Sequence, residues 1–319
     1  MKAKLFISSG ALAAMAWAAP LVGAAHFANS IVRPVANGSR AIVARPLPAR
    51  FRVEKERGLL LRTWLNGRGP YIFALDTGAG MNVIAQRVVT EIRLQTKAVP
   101  STYVGGLSSS RIVSNREAVI NQMAVGERGN ALPSVQTALI VSNLPPDIDG
   151  ILDPTQAYAP LGYSIDMPNE QIEAFDANEI QPGGRAGAEG AVVSWIRKQN
   201  DARPFVRLGD GRLALIDTGS GFGLAVNERQ AVIVGNNREN VNNAGGRDIA
   251  GGIIRSRRVS PTTISIGELV LRRIPTDILF GVHEDAPLIL GRDALHPFKI
   301  SFDARRRLIA FVASSPNSD

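Results

Sequence analysis

Two short segments stand out for the chemistry they could carry: Asp76-Thr77-Gly78-Ala79-Gly80 and Asp217-Thr218-Gly219-Ser220-Gly221. Each follows an apolar run, Ile72-Phe73-Ala74-Leu75 in one case and Leu213-Ala214-Leu215-Ile216 in the other. Two carboxylates close enough to share a proton cannot both ionise, so one stays an acid while the other serves as a base. Such a pair can draw a proton from a water and protonate or polarise the carbonyl that the water attacks. A threonine after the aspartate offers a hydroxyl to tie the loop across the pair. A glycine next lets the backbone bend so that amides face the carboxylate. One Asp-Thr-Gly alone would be no more than a strand-ending turn, where Asp and Gly are favoured anyway. Two of them call for a wider repeat.

The repeat is present. Asp149-Gly150-Ile151-Leu152-Asp153 follows the first motif, and Leu288-Ile289-Leu290-Gly291-Arg292-Asp293 follows the second. From Asp76 to Ile151-Leu152 is 75–76 residues, and from Asp217 to Ile289-Leu290 it is 72–73. Each half closes with an Asp and then a short strand ending in Phe, Asp166 to Phe175 and Asp303 to Phe311. A pseudo-twofold pair of lobes would bring one Asp from each loop to a shared centre.

The elements that must position these loops read as strands. Short Val, Ile, Leu and Phe runs are separated by Gly, Asn and Asp throughout, which is strand-and-turn patterning. Val53–Leu65 and Tyr71–Leu75 flank Asn66-Gly67-Arg68-Gly69-Pro70, and Phe205–Leu208 and Leu213–Ile216 flank Gly209-Asp210-Gly211. Both predict β-hairpins, because Asn-Gly and Asp-Gly accept the positive φ of tight turns. Helical periodicity is confined to Asn82–Ile92 and Asn227–Val234. Residues 177–191 are rich in Gly and predict a linker between halves spanning 51–176 and 192–314, with 315–319 as a tail.

Taken together the motifs resemble those of the aspartic proteases, the retropepsin and pepsin clan. Asp76-Thr77-Gly78-Ala79 is similar to the retroviral type and Asp217-Thr218-Gly219-Ser220 to the pepsin type. Ile289-Leu290-Gly291-Arg292-Asp293 resembles the segment that supports the active-site loop in that clan, and Ile148-Asp149-Gly150-Ile151-Leu152 its first-lobe equivalent. The resemblance covers roughly residues 51–314. It implies a mostly β, bilobal fold of two pseudo-twofold-related, β-barrel-like lobes with few short helices. It further implies an aspartic endopeptidase with Asp76 and Asp217 as the dyad and Thr77, Gly78, Thr218, Gly219 and Ser220 supporting their loops. No metal or other cofactor is implied, and the chain would be a monomer acting on an extended peptide. A catalytically silent peptide- or protein-binding module on the same scaffold is the rival reading; two intact Asp-Thr-Gly motifs argue against it.

Clan members close a glycine-containing hairpin over the substrate. Tyr103-Val104-Gly105-Gly106 lies 27–30 residues after Asp76, and Gly245-Gly246 lies 28–29 residues after Asp217, with Gly251-Gly252 beyond. These are candidate flaps, or else ordinary glycine-rich loops; Tyr103 is the better candidate, since a phenol can both stack and hydrogen-bond. Two departures stand out. Asp153 occupies the position of the clan's glycine, which predicts weaker support for the Asp76 loop. Ala79 stands opposite Ser220, whose hydroxyl could bond a carboxylate, so Asp217 is expected to ionise first while Asp76 keeps the proton.

Composition removes the competitors. The 319 residues contain no Cys and three His, which excludes disulfides, thiolate nucleophiles and Cys-based metal sites. Gly219-Ser220-Gly221 lacks the earlier glycine of a nucleophile elbow, because that position is Thr218. No His-Glu-x-x-His occurs, and Gly219, Gly221 and Gly223 are misplaced for a dinucleotide fingerprint. A formal charge of +8 and the Arg305-Arg306-Arg307 run fit a solvated turn or an anionic surface. No interleaving of basic and aromatic residues suggests nucleic acid.

At the N-terminus, Lys2 and Lys4 precede an apolar stretch from Leu5 to Val22, with Pro20 and small residues through Ala25. Residues 1–25 therefore read as a cleavable export signal of a bacterial periplasmic or secreted protein. A run of about 20 apolar residues is also long enough for an uncleaved anchor. Cleavage would remove two lysines and no acid, leaving 8 − 2 = +6. Residues 26–50 form a basic, proline-containing arm that could serve as a short prosegment.

Overall fold

The computed structural model describes residues 8–9, 44–108, 110–177, 179–180, 190–198, 201–231, 243–248, 250–283 and 286–316. Strands dominate, in one 15-stranded and one 8-stranded sheet, and the described helices are Gln86–Ile92, Pro154–Ala157 and Arg292–Leu295. No helix among the described residues is long and apolar enough to cross a membrane.

Both predicted hairpins form. Gly58–Leu65 pairs with Arg68–Leu75 around Asn66 and Gly67, whose φ values of 49° and 76° are what a tight two-residue hairpin turn requires. Asp201–Arg207 pairs with Leu213–Asp217, with Gly211 at φ 87°. Each hairpin delivers one aspartate at the end of its second strand.

The same topology then recurs. In the first half, Arg68–Leu75 runs parallel to Gly150–Leu152, which pairs antiparallel with Val83–Ala85, itself parallel to Gln136–Val141. In the second half the corresponding order is Leu213–Asp217, Leu288–Gly291, Leu224–Asn227 and Leu269–Phe280, with the same directions. The apolar runs are central strands buried on both faces: Phe73, Leu75, Ile151, Leu152, Leu215, Ile216, Ile289 and Leu290 are all fully buried. At about 25 cal/mol per Å² of apolar surface removed from water, these strands are the main source of stability beneath the loops.

A third region joins the halves. Its strand order is Ala49–Glu54, Gln171–Phe175, Gly162–Asp166, Phe298–Asp303, Leu308–Ala313 and Ala191–Ser194. That order is a palindrome of equivalent elements, and its centre is the pair Ser164↔Ser301, whose hydroxyls lie 2.7 Å apart. Tyr163 stacks on Phe302 beside it, with ring centroids 4.8 Å apart.

Some expectations are corrected. The helix expected over Asn82–Ile92 starts only at Gln86, because Val83-Ile84-Ala85 is wholly buried between two strands and pairs with both. The stretch Asn227–Val234 holds no α-helix where it is described: Leu224–Asn227 is a strand and a turn follows through Gln230. Its last residues, 232–234, lie outside the described residues, as do 181–189 of the glycine-rich window and most of residues 1–43. Arg305-Arg306-Arg307 does form the turn of the closing hairpin, and Arg306 bonds the carbonyl of Ile180.

Candidate active site

Asp76 and Asp217 converge from the two halves. Both are buried, as are Thr77, Thr218 and Ser220. The two loops lie face to face so closely that a Cβ added to Gly219 would sit 2.5 Å from Cγ of Asp76. One on Gly78 would sit 2.7 Å from Cγ of Asp217. Glycine is therefore required at both positions by the opposite carboxylate.

The threonines tie the loops reciprocally. Thr77 Oγ1 donates to Ile216 O (2.7 Å) and Thr218 Oγ1 to Leu75 O (3.3 Å). Each hydroxyl also accepts the other threonine's N–H at 3.1 Å. Four buried bonds thus cross the interface. The carboxylates receive backbone donors as well, Gly78 N–H to Asp76 Oδ1 at 2.7 Å and Ser220 N–H to Asp217 Oδ1 at 3.1 Å.

The dyad is electrostatically uneven. Burial and then the neighbouring Asp217 charge push Asp76 well above the usual carboxylate range, with Asp153 adding to the rise. Burial raises Asp217 as well, but a hydrogen bond from Asp76, the Ser220 amide and the charges of Arg203 and Arg292 all act to lower it. These causes favour the proton on Asp76 and the charge on Asp217. Asp76 Oδ2 is buried and bonds no donor among the described residues.

The cause differs from the one read in the sequence. The Ser220 hydroxyl accepts the Phe222 N–H (3.4 Å), and only its backbone amide reaches Asp217. The hydrogen bond from Asp76 and the Ser220 amide lower Asp217 most, and two buried arginines add their charges. Arg292 donates through Nη1 to Thr218 O and Gly219 O, each at 2.9 Å, and through Nη2 to Lys55 O at 3.2 Å. Arg203 forms a two-pronged pair with Asp201, at 2.8 and 2.6 Å, and its side chain lies 3.4 Å from where a Cβ on Gly80 would stand. Sequence reasoning quoted Arg292 only as part of a supporting segment and passed over Arg203, which no periodicity marks.

Asp153 and Gly291 hold equivalent positions with different jobs. A Cβ on Gly291 would lie 2.4 Å from Phe222 O, so that position needs glycine. At Asp153 the side chain turns away to cap Pro154–Ala157, accepting the Thr155 N–H at 2.9 Å, while Asn82 Oδ1 takes its N–H. The expected weakening of the Asp76 loop is absent, since Asp76 N–H bonds Leu152 O at 3.0 Å.

Both candidate flap segments lie on hairpins. Tyr103 and Gly105 are on Gln95–Gly105, paired with Arg111–Ile120, and Gly106 begins the tip. Gly245 and Gly246 are on Asn243–Arg247, paired with Ile253–Ile266. Tyr103 is half exposed and its phenol bonds no described residue. Among the described residues no cluster of three His, Asp or Glu side chains could hold a metal ion.

Residues 61–152 match the family model for aspartyl proteases. No curated protein matches the chain. Among the 376 solved chains that do is the crystal structure of an aspartic proteinase from Irpex lacteus, at 11% identity. That likeness covers 84% of this chain and 97% of the other, with a TM-score of 0.51. At this identity the likeness is one of fold, and it bears out the mostly β, pepsin-like class expected from the motifs.

Proposed function

We propose that the chain is an aspartic endopeptidase whose dyad is Asp76 and Asp217, a reading supported by the aspartyl protease match over residues 61–152 and by the likeness in fold to an aspartic proteinase. The observation that carries the reading is the contact of two buried carboxylates across loops locked by Thr77 and Thr218. Asp217, charged, takes a proton from a water whose oxygen attacks the peptide carbonyl carbon. Asp76, protonated, gives its proton to the carbonyl oxygen, yielding a gem-diol. Collapse breaks the C–N bond: the proton on Asp217 passes to the departing amine nitrogen and one gem-diol hydroxyl proton returns to Asp76, restoring the dyad. The substrate runs through the cleft in extended form, as an added strand. The pseudo-twofold supplies both aspartates from one chain, which supports action as a monomer. Lys2, Lys4 and the apolar run to Val22 support export from a bacterial cytoplasm.

The test is cleavage of a peptide library across pH by the wild type, Asp76→Asn and Asp217→Asn, with a statine-type inhibitor as control. Each substitution should lower kcat by about 10²–10⁴-fold or more. Cleavage that survives in both variants would remove the reading, and saturable peptide binding without cleavage by the wild type would favour a silent binding module.

A further inference from the structure

The first glycine hairpin does not end in its own half. It is anchored to the first half through Arg111–Ile120 and Gln136–Val141, and Arg111 holds the carbonyls of Ser108 and Ser110, yet Leu107 and Ser108 at its tip also bond to the second half. Ser108 N–H and Ser108 Oγ–H both donate to Asp248 Oδ2, at 2.9 and 2.5 Å. Asp248 Oδ1 meanwhile accepts the Gly252 N–H at 2.8 Å, which folds the turn of the second hairpin around that carboxylate. Gly252 must be glycine for this approach, because a Cβ there would lie 1.8 Å from Ser108 Oγ. The adjoining Leu107 O accepts the His283 N–H at 2.9 Å, and Ser108 forms a β-bridge with Val282.

Apolar contact completes the junction. Leu107 is buried among Phe222, Ala225, Ile254, Leu279 and Ile289, all of the second half. Phe222 and Ile289 belong to the loop and the strand that carry and support Asp217. The tip therefore spans from one half to the other beside the dyad, with Ser108 and Asp248 themselves buried. The Leu107 contact belongs to the second-half core, whereas the Ser108–Asp248 bonds are polar bonds between the two hairpins.

We propose that Ser108 and Asp248 form a polar latch that holds the hairpin tip shut across the cleft, and that a peptide enters only when this latch opens. Entry of substrate rests on the protease reading above; the latch itself does not. Two hydrogen bonds to one carboxylate, one of them from a hydroxyl that also accepts the Ser110 N–H, make a switch with few moving parts. The Leu107 contact limits how far the tip drifts once the polar bonds break.

The test uses the full chain with Ser108→Ala, Asp248→Asn and the double variant. Asp248→Asn keeps an oxygen for the Gly252 turn, so it tests the latch without dissolving the second hairpin. The first readout is amide hydrogen exchange across 105–111. The second is the association rate of a statine-type peptide inhibitor by stopped flow. Each single variant should speed both by about ten-fold, the worth of one charge-assisted hydrogen bond. The double variant should add little to either single one, because the residues act as one unit. Unchanged exchange in both single variants, or fully additive effects, would overturn the latch. Failure of the protease reading would appear separately, as no inhibitor binding by any form while exchange still reports the latch.

Discussion

Replacing Asp153 by Asn should stabilise the protein, and only above a defined pH. Burial pushes the Asp153 carboxyl from 3.8 up to about 7, with contacts from Thr155 and Gln156 acting in the opposite direction. A carboxyl that holds its proton more tightly when folded makes the native state bind more protons than the unfolded chain over that interval. Stability then falls as pH rises from about 3.8 to about 7 and levels off above. The interval is about 3 pH units, and at about 1.36 kcal/mol per unit the loss reaches at most about 4 kcal/mol. Asparagine has the same shape, keeps an oxygen for the Thr155 N–H at a capping position it favours, and never ionises. Urea unfolding of wild type and variant at pH 4, 6 and 8 gives the difference directly, provided the m-value is unchanged. The variant also relieves the rise that Asp153 imposes on Asp76, which favours the variant in the same direction. Equal midpoints at pH 4 and a variant more stable by up to about 4 kcal/mol at pH 8 are expected. A variant equally or less stable at pH 8 would refute the claim that Asp153 is held against its ionisation.

Three further outcomes follow from the loops. Arg292→Met removes a charge that lowers Asp217, so the acid limb of kcat/KM should move to higher pH, and three freed carbonyls should cost about 3 kcal/mol in denaturant unfolding. Arg292→Lys should lose stability but keep the limb, and equal limb shifts in both variants would rule out charge as the cause. Gly219→Ala places a Cβ 2.5 Å from Asp76 Cγ, which should cost about 1–3 kcal/mol and about 10²-fold in kcat. Gly129→Ala, with nothing within 4 Å, serves as its silent control. Thr77→Val strands Ile216 O and Thr218 N–H and should destabilise by about 3 kcal/mol in the same unfolding assay.

The fold was legible wherever a local rule applied. Asn66-Gly67 and Gly211 set their turns by positive φ, and the apolar runs before both aspartates became central strands, because such runs can be buried only on both faces. Val83-Ile84-Ala85 was misread as helix because a three-residue buried strand has too few positions to show a period. The dyad and its threonines were legible because the repeat names them twice. Arg203 and Asp248 were not, since each has its role from a residue elsewhere in the chain, Asp217 for one and Ser108 for the other, and no spacing announces such a contact.

The unevenness of the dyad shows why the repeat alone was insufficient. The two Asp-Thr-Gly loops are nearly identical in sequence and in their hydrogen bonds, so taken by themselves they would give two interchangeable carboxylates. Part of what separates them, beside the Ser220 amide and the Arg203 charge that also lower Asp217, lies one position further along the supporting strands. There the first half has Asp153-Pro154 and the second has Gly291-Arg292. Gly291 lets the strand pass close beneath Phe222 O, and that passage brings the Arg292 guanidinium onto the carbonyls of Thr218 and Gly219. Asp153 carries a side chain that turns to cap the following helix and places a carboxyl, not a cation, behind Asp76. A negative neighbour favours the protonated form and a positive one the charged form. The residues at 153 and 292 thus add to the bias between acid and base, with Asp153 contributing its charge only where it is itself ionised, above a pH of about 7. Neutralising both, with Asp153→Asn and Arg292→Met, rather than altering either loop, is the change that should bring the two aspartates closer to equivalence.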